Sequence, residues 1–469
     1  MIRIPISCLL AATLAGWSAA PAPAAERAVP RSQAEITLSY APLVKKTAPA
    51  VVNIYTRRVV QTQRSPFFND PFFRQFFGDN LPTAPRERIQ NSLGSGVIVR
   101  ADGIVVTSNH VIEKADQITV VLSDRRELPA EVVLTDARTD IAVLRIDAGG
   151  KKLPYLKLRS TDDLEVGDLV LAIGNPFGVG QTVTGGIVSA LARAAAGVSD
   201  FSFFIQTDAA INPGNSGGAL VTMDGRLAGI NTAIYSRSGG SQGIGFAIPA
   251  DMVRAVLAGA LNDARIVRPW FGGAGQELTA DVARSIGLDR PGGVIVTEIH
   301  RGGPAARAGL RVGDVIAAIN GREVADPNAL RFRIATLPVG EAAALSVLRQ
   351  GRALSLALPL EAPPETPPRD ATELAGRNPF AGATVANLSP ALADELSLDP
   401  MQRGVIVMKV DRRAPAGRIG IRPGDVVVSI NGAEIATVDS LEAVLRRPAD
   451  RWTISVRRDG RMLSVVIEG

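Results

Sequence analysis

Three short segments of this chain recur at a constant spacing of 111 residues. Gly293-Val294-Ile295-Val296 returns as Gly404-Val405-Ile406-Val407. Gly309-Leu310-Arg311-Val312-Gly313-Asp314-Val315-Ile316 returns as Gly420-Ile421-Arg422-Pro423-Gly424-Asp425-Val426-Val427, and Asn320-Gly321 as Asn431-Gly432. A constant spacing over three matches means a duplicated module. Each copy is about 90 residues, well beyond the period of the common solenoid repeats. Each has short strands, an Asn-Gly hairpin signal and a helical segment after it, predicted at Pro327 to Ala335 and at Ser440 to Arg446. Between the copies, residues 361–377 include Ala362-Pro363-Pro364-Glu365-Thr366-Pro367-Pro368, the composition of a semi-rigid linker.

The region before the repeat has a different pattern. From Leu93 to Pro249 it consists of short apolar runs separated by turns. Gly96-Val97-Ile98-Val99, Ile118-Thr119-Val120-Val121-Leu122, Ile141-Ala142-Val143-Leu144 and Val170-Leu171-Ala172-Ile173 are examples. Many β-branched runs with Gly-rich turns read as an all-β sandwich or barrel. A helix is predicted at about Ala250 to Leu261, with Pro249 at its start and Asp251 in its first turn. Ahead of all this, Val51 to Tyr55 reads as a strand, followed by a long loop from about Thr56 to Asn91. That loop holds Phe67, Phe68, Phe72, Phe73, Phe76 and Phe77. Two readings of it stay open: a local satellite core, or a contact with another subunit or with substrate.

The chain has 469 residues, room for two to four domains. Arg3, the apolar stretch Ile4 to Gly16 and the small residues Ala19 to Ala25 read as a secretory signal cleaved near Ala24 or Ala25. The apolar run is short for a membrane span. The one cysteine, Cys8, lies inside the signal, so the mature chain uses no disulfide. The net charge of +5 is a mild surplus at this length. It suits acidic partners or a peripheral membrane contact, and no basic run marks a nucleic-acid groove.

The chemistry centres on Gly214-Asn215-Ser216-Gly217-Gly218. Glycines let the backbone turn tightly around Ser216 and aim N–H groups at one point. Upstream lie His110, in Thr107-Ser108-Asn109-His110-Val111, and Asp140, in Thr139-Asp140-Ile141-Ala142-Val143-Leu144. Ser216 would attack a carbonyl, His110 take and return its proton, and Asp140 hold the imidazole tautomer. The order His, Asp, Ser is that of the two-barrel type of serine protease, in agreement with the all-β pattern. The N–H groups of Gly214 and Ser216 would form the oxyanion hole, with Asn215 shaping the turn; a donor of this kind is typically worth about 3 kcal/mol. Ala210, six residues before the serine, offers no charge at the base of the primary pocket. With Ile211 beside it, a small aliphatic pocket for Val, Ala, Ile or Leu is expected. No metal and no cofactor are called for.

These residues, with Gly174-Asn175-Pro176-Phe177-Gly178, Asn212-Pro213-Gly214 and Gln242 to Pro249, closely resemble the HtrA/Deg family. A protease followed by two repeated modules resembles its two-PDZ branch. The resemblance implies a mostly β chain: a chymotrypsin-like double β-barrel protease domain over 26–262 after a signal peptide over 1–25, then PDZ (α+β) domains over 266–360 and 378–469. It also implies an ATP-independent periplasmic serine endopeptidase for unfolded or misfolded polypeptides, with chaperone action, working as homotrimers that build larger cages. The phenylalanine loop then resembles the loop that reaches into a neighbouring subunit. Leu191 to Ser202 resembles a sensor loop with Arg193 as its signalling arginine, and Gly229 to Gly243 resembles the loop that lines the primary pocket, which adds Thr232, Ala233 and Ile234. The PDZ modules would take peptide C-termini or extended segments by strand addition. Their loops would be Trp270-Phe271-Gly272-Gly273, where the family has an aliphatic residue in place of Gly273, and Phe380-Ala381-Gly382-Ala383. Two further readings are a holdase chaperone or PDZ scaffold with secondary proteolysis, and a processing protease for a single substrate. The intact His110, Asp140 and Ser216 argue against a pure scaffold; the two modules and the unselective pocket argue against a single-substrate processing protease.

Overall fold

The computed structural model describes residues 39–61, 87–175, 180–193, 203–212, 214–234, 241–261, 265–286 and 291–468. The expected signal segment and all six phenylalanines of the long loop lie outside these residues.

Twelve strands build two closed barrels. β1 (Val51–Gln61), β2 (Glu87–Arg100), β3 (Ile104–Ser108), β4 (Gln117–Val121), β5 (Glu127–Asp136) and β6 (Ile141–Ile146) close in the order β1-β2-β3-β6-β5-β4. β7 (Leu169–Gly174), β8 (Thr182–Arg193), β9 (Phe204–Thr207), β10 (Ala219–Thr222), β11 (Leu227–Ile234) and β12 (Gly245–Pro249) close as β10-β11-β12-β9-β8-β7.

Strand alternation explains why these runs are apolar throughout. Side chains two apart share a face. On β3 and β6, Val105, Ala142 and Leu144 fill the first barrel with Val52, Ile54, Ile98 and Val120. Their neighbours Ile104, Val106, Ile141 and Val143 face outward into a second cluster. There they meet Leu171, Ile173, Ala219, Val221 and Ile230 of the other barrel. Both faces are buried, so no polar residue is needed every second position. The helix Ala250–Leu261 closes the same cluster with Met252, Val253, Val256, Leu257 and Ala260, the spacing of one helical face.

Each copy of the repeat forms one antiparallel sheet with a helix. The first has β13 (Gly273–Glu277), β14 (Val294–Ile299), β15 (Val315–Ile319), β16 (Arg322–Glu323), β17 (Ala342–Arg349) and β18 (Arg352–Pro359), ordered β13-β14-β15-β17-β18 with β16 on β15. The second has β19 (Thr372–Glu373), β20 (Ala383–Asn387), β21 (Val405–Val410), β22 (Val426–Ile430), β23 (Ala433–Glu434), β24 (Arg451–Arg458) and β25 (Arg461–Glu468) in the corresponding order.

The structure accounts for the repeated motifs. Asn320 and Asn431 have φ of 49° and 50°, and the glycines after them 76° and 80°, as the two-residue hairpin turn requires. The Asn320 and Asn431 side chains also accept from the N–H groups of Ala344 and Thr453 at 2.8 and 2.7 Å. The Gly-Asp pairs place Asp314 and Asp425 in the core, 1% and 0% exposed. Asp314 accepts two 2.7 Å bonds from Arg349 and one from the Arg311 N–H; Asp425 is held likewise by Arg458 and the Arg422 N–H. Burial alone would push the Asp314 carboxyl up, but the Arg349 and Arg311 bonds outweigh it and hold it below the usual value.

Three expectations change. The long loop is shorter at both ends, because β1 runs to Gln61 and β2 starts at Glu87, paired from Thr56↔Ser92 to Gln61↔Glu87. This ribbon is mostly polar and its few apolar residues do not alternate, so hydrophobic alternation does not reveal it. The helix of the second module starts at Val438, two residues early, because Thr437 forms a capping box with Ser440. The proline-rich linker is docked. Asn387 donates to the Pro368 carbonyl at 2.8 Å, Arg369 pairs with Glu365 and Glu395, and Thr372–Glu373 joins the second sheet.

Candidate active site

His110 sits in a one-turn helix, Asn109–Ile112, directly after β3, and Asp140 directly before β6. Asp140 has φ of 58°, a conformation an aspartate tolerates better than most residues. The turn directs three acceptors at the helix start. The Asp140 carbonyl accepts from the Asn109 N–H at 3.0 Å. Its Oδ1 accepts from the His110 N–H at 2.9 Å, and its Oδ2 lies 2.8 Å from His110 Nδ1. The carboxylate is buried and the imidazole half-exposed, so the ring is fixed on one edge and open on the other.

Thr232 is the residue that joins this pair to the serine. Its hydroxyl donates to Asp140 Oδ2 at 2.5 Å, and its carbonyl accepts from Ser216 Oγ at 3.1 Å. The β11–β12 register shifts between Asn231 and Ala233; such an irregularity re-aims the residue it contains. In this structure the Ser216 hydroxyl therefore rests on Thr232 and donates no bond to His110.

The serine turn is held from several sides. Gly214 has φ of 97° and Gly217 of 81°. The Asn215 N–H donates to the Asn212 carbonyl at 3.0 Å, and the Asn215 carbonyl accepts from Gly218 at 2.8 Å. Among the described residues no group accepts from the Ser216 N–H. At Gly217 a Cβ would lie 2.1 Å from the Ser95 carbonyl, so only glycine fits there.

The other predicted residues are placed as follows. Ala210 is half-buried, its carbonyl accepting from Thr184 Oγ1 at 2.8 Å. Ile211 is buried in the second barrel against Gly245. Ala233 and Ile234 lie on β11 opposite Phe246 and Gly245. Arg193 ends β8 with its backbone paired to Phe204; its side chain and residues 194–202 lie outside the described residues.

The turn before Asp140 carries a buried ion pair. Asp136 accepts from Thr139 Oγ1 and from Arg268, both side chains of the pair being under a tenth exposed. Burial pulls the Arg268 guanidinium below its ordinary value, opposed by the charge of Asp136. Arg138 in the same turn donates to the Asp394 carboxylate of the second module at 2.7 Å. Asp136→Ala removes the carboxylate facing a buried cation and should cost about 3–5 kcal/mol. Calorimetry should show it as a clear fall in Tm.

A model of the trypsin-like peptidase domain matches residues 94–230, and a PDZ-domain model matches 274–360 and 380–468. The chain is 40% identical over 453 residues to a probable periplasmic serine endoprotease DegP-like from Pseudomonas putida (strain W619), covering 92% of this chain and 93% of that protein. It is 37% identical over 471 residues to the periplasmic serine endoprotease DegP of Salmonella typhimurium, covering 95% of each. The chain belongs to the HtrA family of serine endoproteases. Among solved structures, the HtrA-type protease AlgW with a decapeptide is 48% identical, with a TM-score of 0.51 over 70% of this chain and 99% of that one. AlgW with a tripeptide scores 0.52 at 44% identity over 70% of this chain and 99% of that one.

The two PDZ modules of this HtrA protease hold their candidate loops in the same way. The Gly272 and Gly382 carbonyls accept from His300 and Asp411, and the Phe271 and Ala381 carbonyls from Ala305 and Ala416. In the first module the loop borders a cleft of about 530 Å³ between β13 and the helix Pro327–Ala335. Trp270, Phe271, Leu330 and Ile334 line it, with Leu398 and Met401 of the second module at one side. In the second module Phe380 and Ala383 are fully buried. Its cleft lies beside the preceding segment instead, between 374–379, Leu445 and Trp452. Among the described residues no helix is long and apolar enough to cross a membrane.

Sequence reasoning missed two residues of this site, Ser95 and the hydroxyl role of Thr232. A serine between two glycines just ahead of the apolar run Val97-Ile98-Val99 is the trace Ser95 leaves in the sequence.

Proposed function

We propose that this serine endopeptidase uses Ser216 as nucleophile, His110 as general base and Asp140 as the group that orients it. The carrying observation is the double hold of Asp140 on His110, by the backbone N–H and by Nδ1. With Nδ1 occupied, Nε2 is the nitrogen left to take the Ser216 proton. Oγ then bonds to the scissile carbonyl carbon, and the resulting oxyanion lies against the N–H groups of Gly214 and Ser216. Return of the proton from Nε2 to the amide nitrogen releases the amine as the C–N bond breaks. Water, deprotonated by the same nitrogen, hydrolyses the ester.

Ala210 and the buried Ile211 support a preference for small aliphatic residues before the cut. The substrates in this reading are unfolded or misfolded polypeptides in the periplasm, reached through a cleaved N-terminal signal. Homotrimers are the working unit, and the first PDZ cleft captures extended segments or C-termini. Cleavage-site profiling on several unfolded proteins tests this. Cuts spread over Val, Ala, Ile and Leu sites are expected; one sharp sequence requirement would instead indicate a processing protease.

A cleft shared by two modules also supports a holding role for the same clients. Ser216→Ala protein that suppresses aggregation as well as wild type establishes chaperone action; no suppression leaves an enzyme alone.

A further inference from the structure

We propose that Ser95 is a positioning residue that holds the peptide planes of the serine turn, and through them the oxyanion donors. The proposal rests on Ser216 being the nucleophile.

Ser95 lies on β2 of the first barrel and is fully buried. It makes four hydrogen bonds, three of them across to the second barrel. Its N–H donates to the Ser216 carbonyl at 2.9 Å. Its Oγ donates to the Gly214 carbonyl at 2.6 Å and accepts from the Asn175 N–H at 2.8 Å. Its own carbonyl accepts from Thr107 Oγ1 at 2.7 Å, on the strand that leads into His110.

The consequence follows from peptide planarity. A carbonyl and the next N–H share one rigid plane, so fixing the oxygen aims the N–H. The Asn215 carbonyl, held by Gly218, sets the Ser216 N–H. The Gly214 carbonyl, held by the Ser95 hydroxyl, fixes the plane that carries the Asn215 N–H, and the Gly214 N–H is tied to that plane only through rotation at Gly214 itself. Gly214 has no side chain and a positive φ, so its own chemistry does little to restrain that rotation. The Ser95 hydroxyl supplies the restraint, and the Ser95 N–H pins the far end of the turn at Ser216. Without the hydroxyl, a part-buried carbonyl and a part-buried N–H both lose their partner, and rotation at Gly214 becomes a way to relieve that.

The test measures kcat and KM on one short chromogenic peptide for wild type, Ser95→Ala and Ser216→Ala. It adds inhibition by a peptide boronate, whose boron takes up the Ser216 oxygen to form a tetrahedral anion in the oxyanion position. Ser95→Ala is expected to lower kcat by about ten- to a hundredfold and leave KM within about twofold. Boronate affinity should weaken by a similar factor. A residue that merely supported folding would lower the active fraction found by titration and leave kcat per active site unchanged; that result overturns the proposal, as does a change confined to KM. Should Ser95→Ala not fold, Ser95→Cys keeps the volume with a weaker donor, and the same split between kcat and KM is required of it. Activity surviving in Ser216→Ala refutes the nucleophile reading itself. Loss there with wild-type kcat in Ser95→Ala refutes only the role of Ser95.

Discussion

Ser216→Ala is expected to reduce kcat for peptide hydrolysis by about 10⁴- to 10⁶-fold while the protein stays folded. The hydroxyl makes one bond, to the Thr232 carbonyl, and a lost bond of that kind costs about 1 kcal/mol. Activity and stability should therefore separate cleanly in this variant. Residual turnover over the uncatalysed rate would come from the backbone donors and from binding. Steady-state rates beside a thermal melt make the check, and wild-type turnover would refute the assignment of Ser216.

Asp140→Asn should cost about 10⁴ in kcat with little change in KM. The reason is proton bookkeeping. In the native site Oδ2 faces both His110 Nδ1 and the Thr232 hydroxyl, two donors, and Oδ1 faces the His110 N–H. An amide has one oxygen and one NH₂ group. Whichever way it is turned, an NH₂ meets a donor. Turned with nitrogen towards Nδ1, it selects the imidazole tautomer that carries its proton on Nε2, which cannot accept from Ser216. Turned the other way, it opposes the His110 N–H and loosens the helix start that carries the ring. The measurement is kcat per titrated active site, and a loss smaller than tenfold would mean that Asp140 does not set the tautomer.

Much of this molecule was legible in its sequence because it depends on local rules. The helix expected at Ala250 to Leu261 forms over those residues, since its apolar stripe and N-terminal signals lie within one window. The repeated Asn-Gly and Gly-Asp pairs sit where backbone conformation and a buried carboxylate demand them. The mostly polar ribbon that lengthens β1 and β2 was not legible, because its residues show no hydrophobic alternation. Nor was the docking of the proline-rich linker, whose composition suits a free spacer but whose carbonyls meet Asn387 and Ala391 of the second module.

At the active site the division is sharper. The residues proposed to carry the chemistry stand out in the sequence: a serine among glycines, a histidine after a strand, an aspartate before one. They do so because each has a distinctive neighbourhood of a few residues. How they are held depends on segments far apart in the chain. Thr232 reaches Asp140 across 92 positions of chain, and Ser95 reaches Gly214 across 119. No periodicity or propensity spans such distances. These bonds exist because two closed barrels pack along one seam, bringing β2, β3, β6 and β11 together around a turn whose glycines let it be shaped from outside.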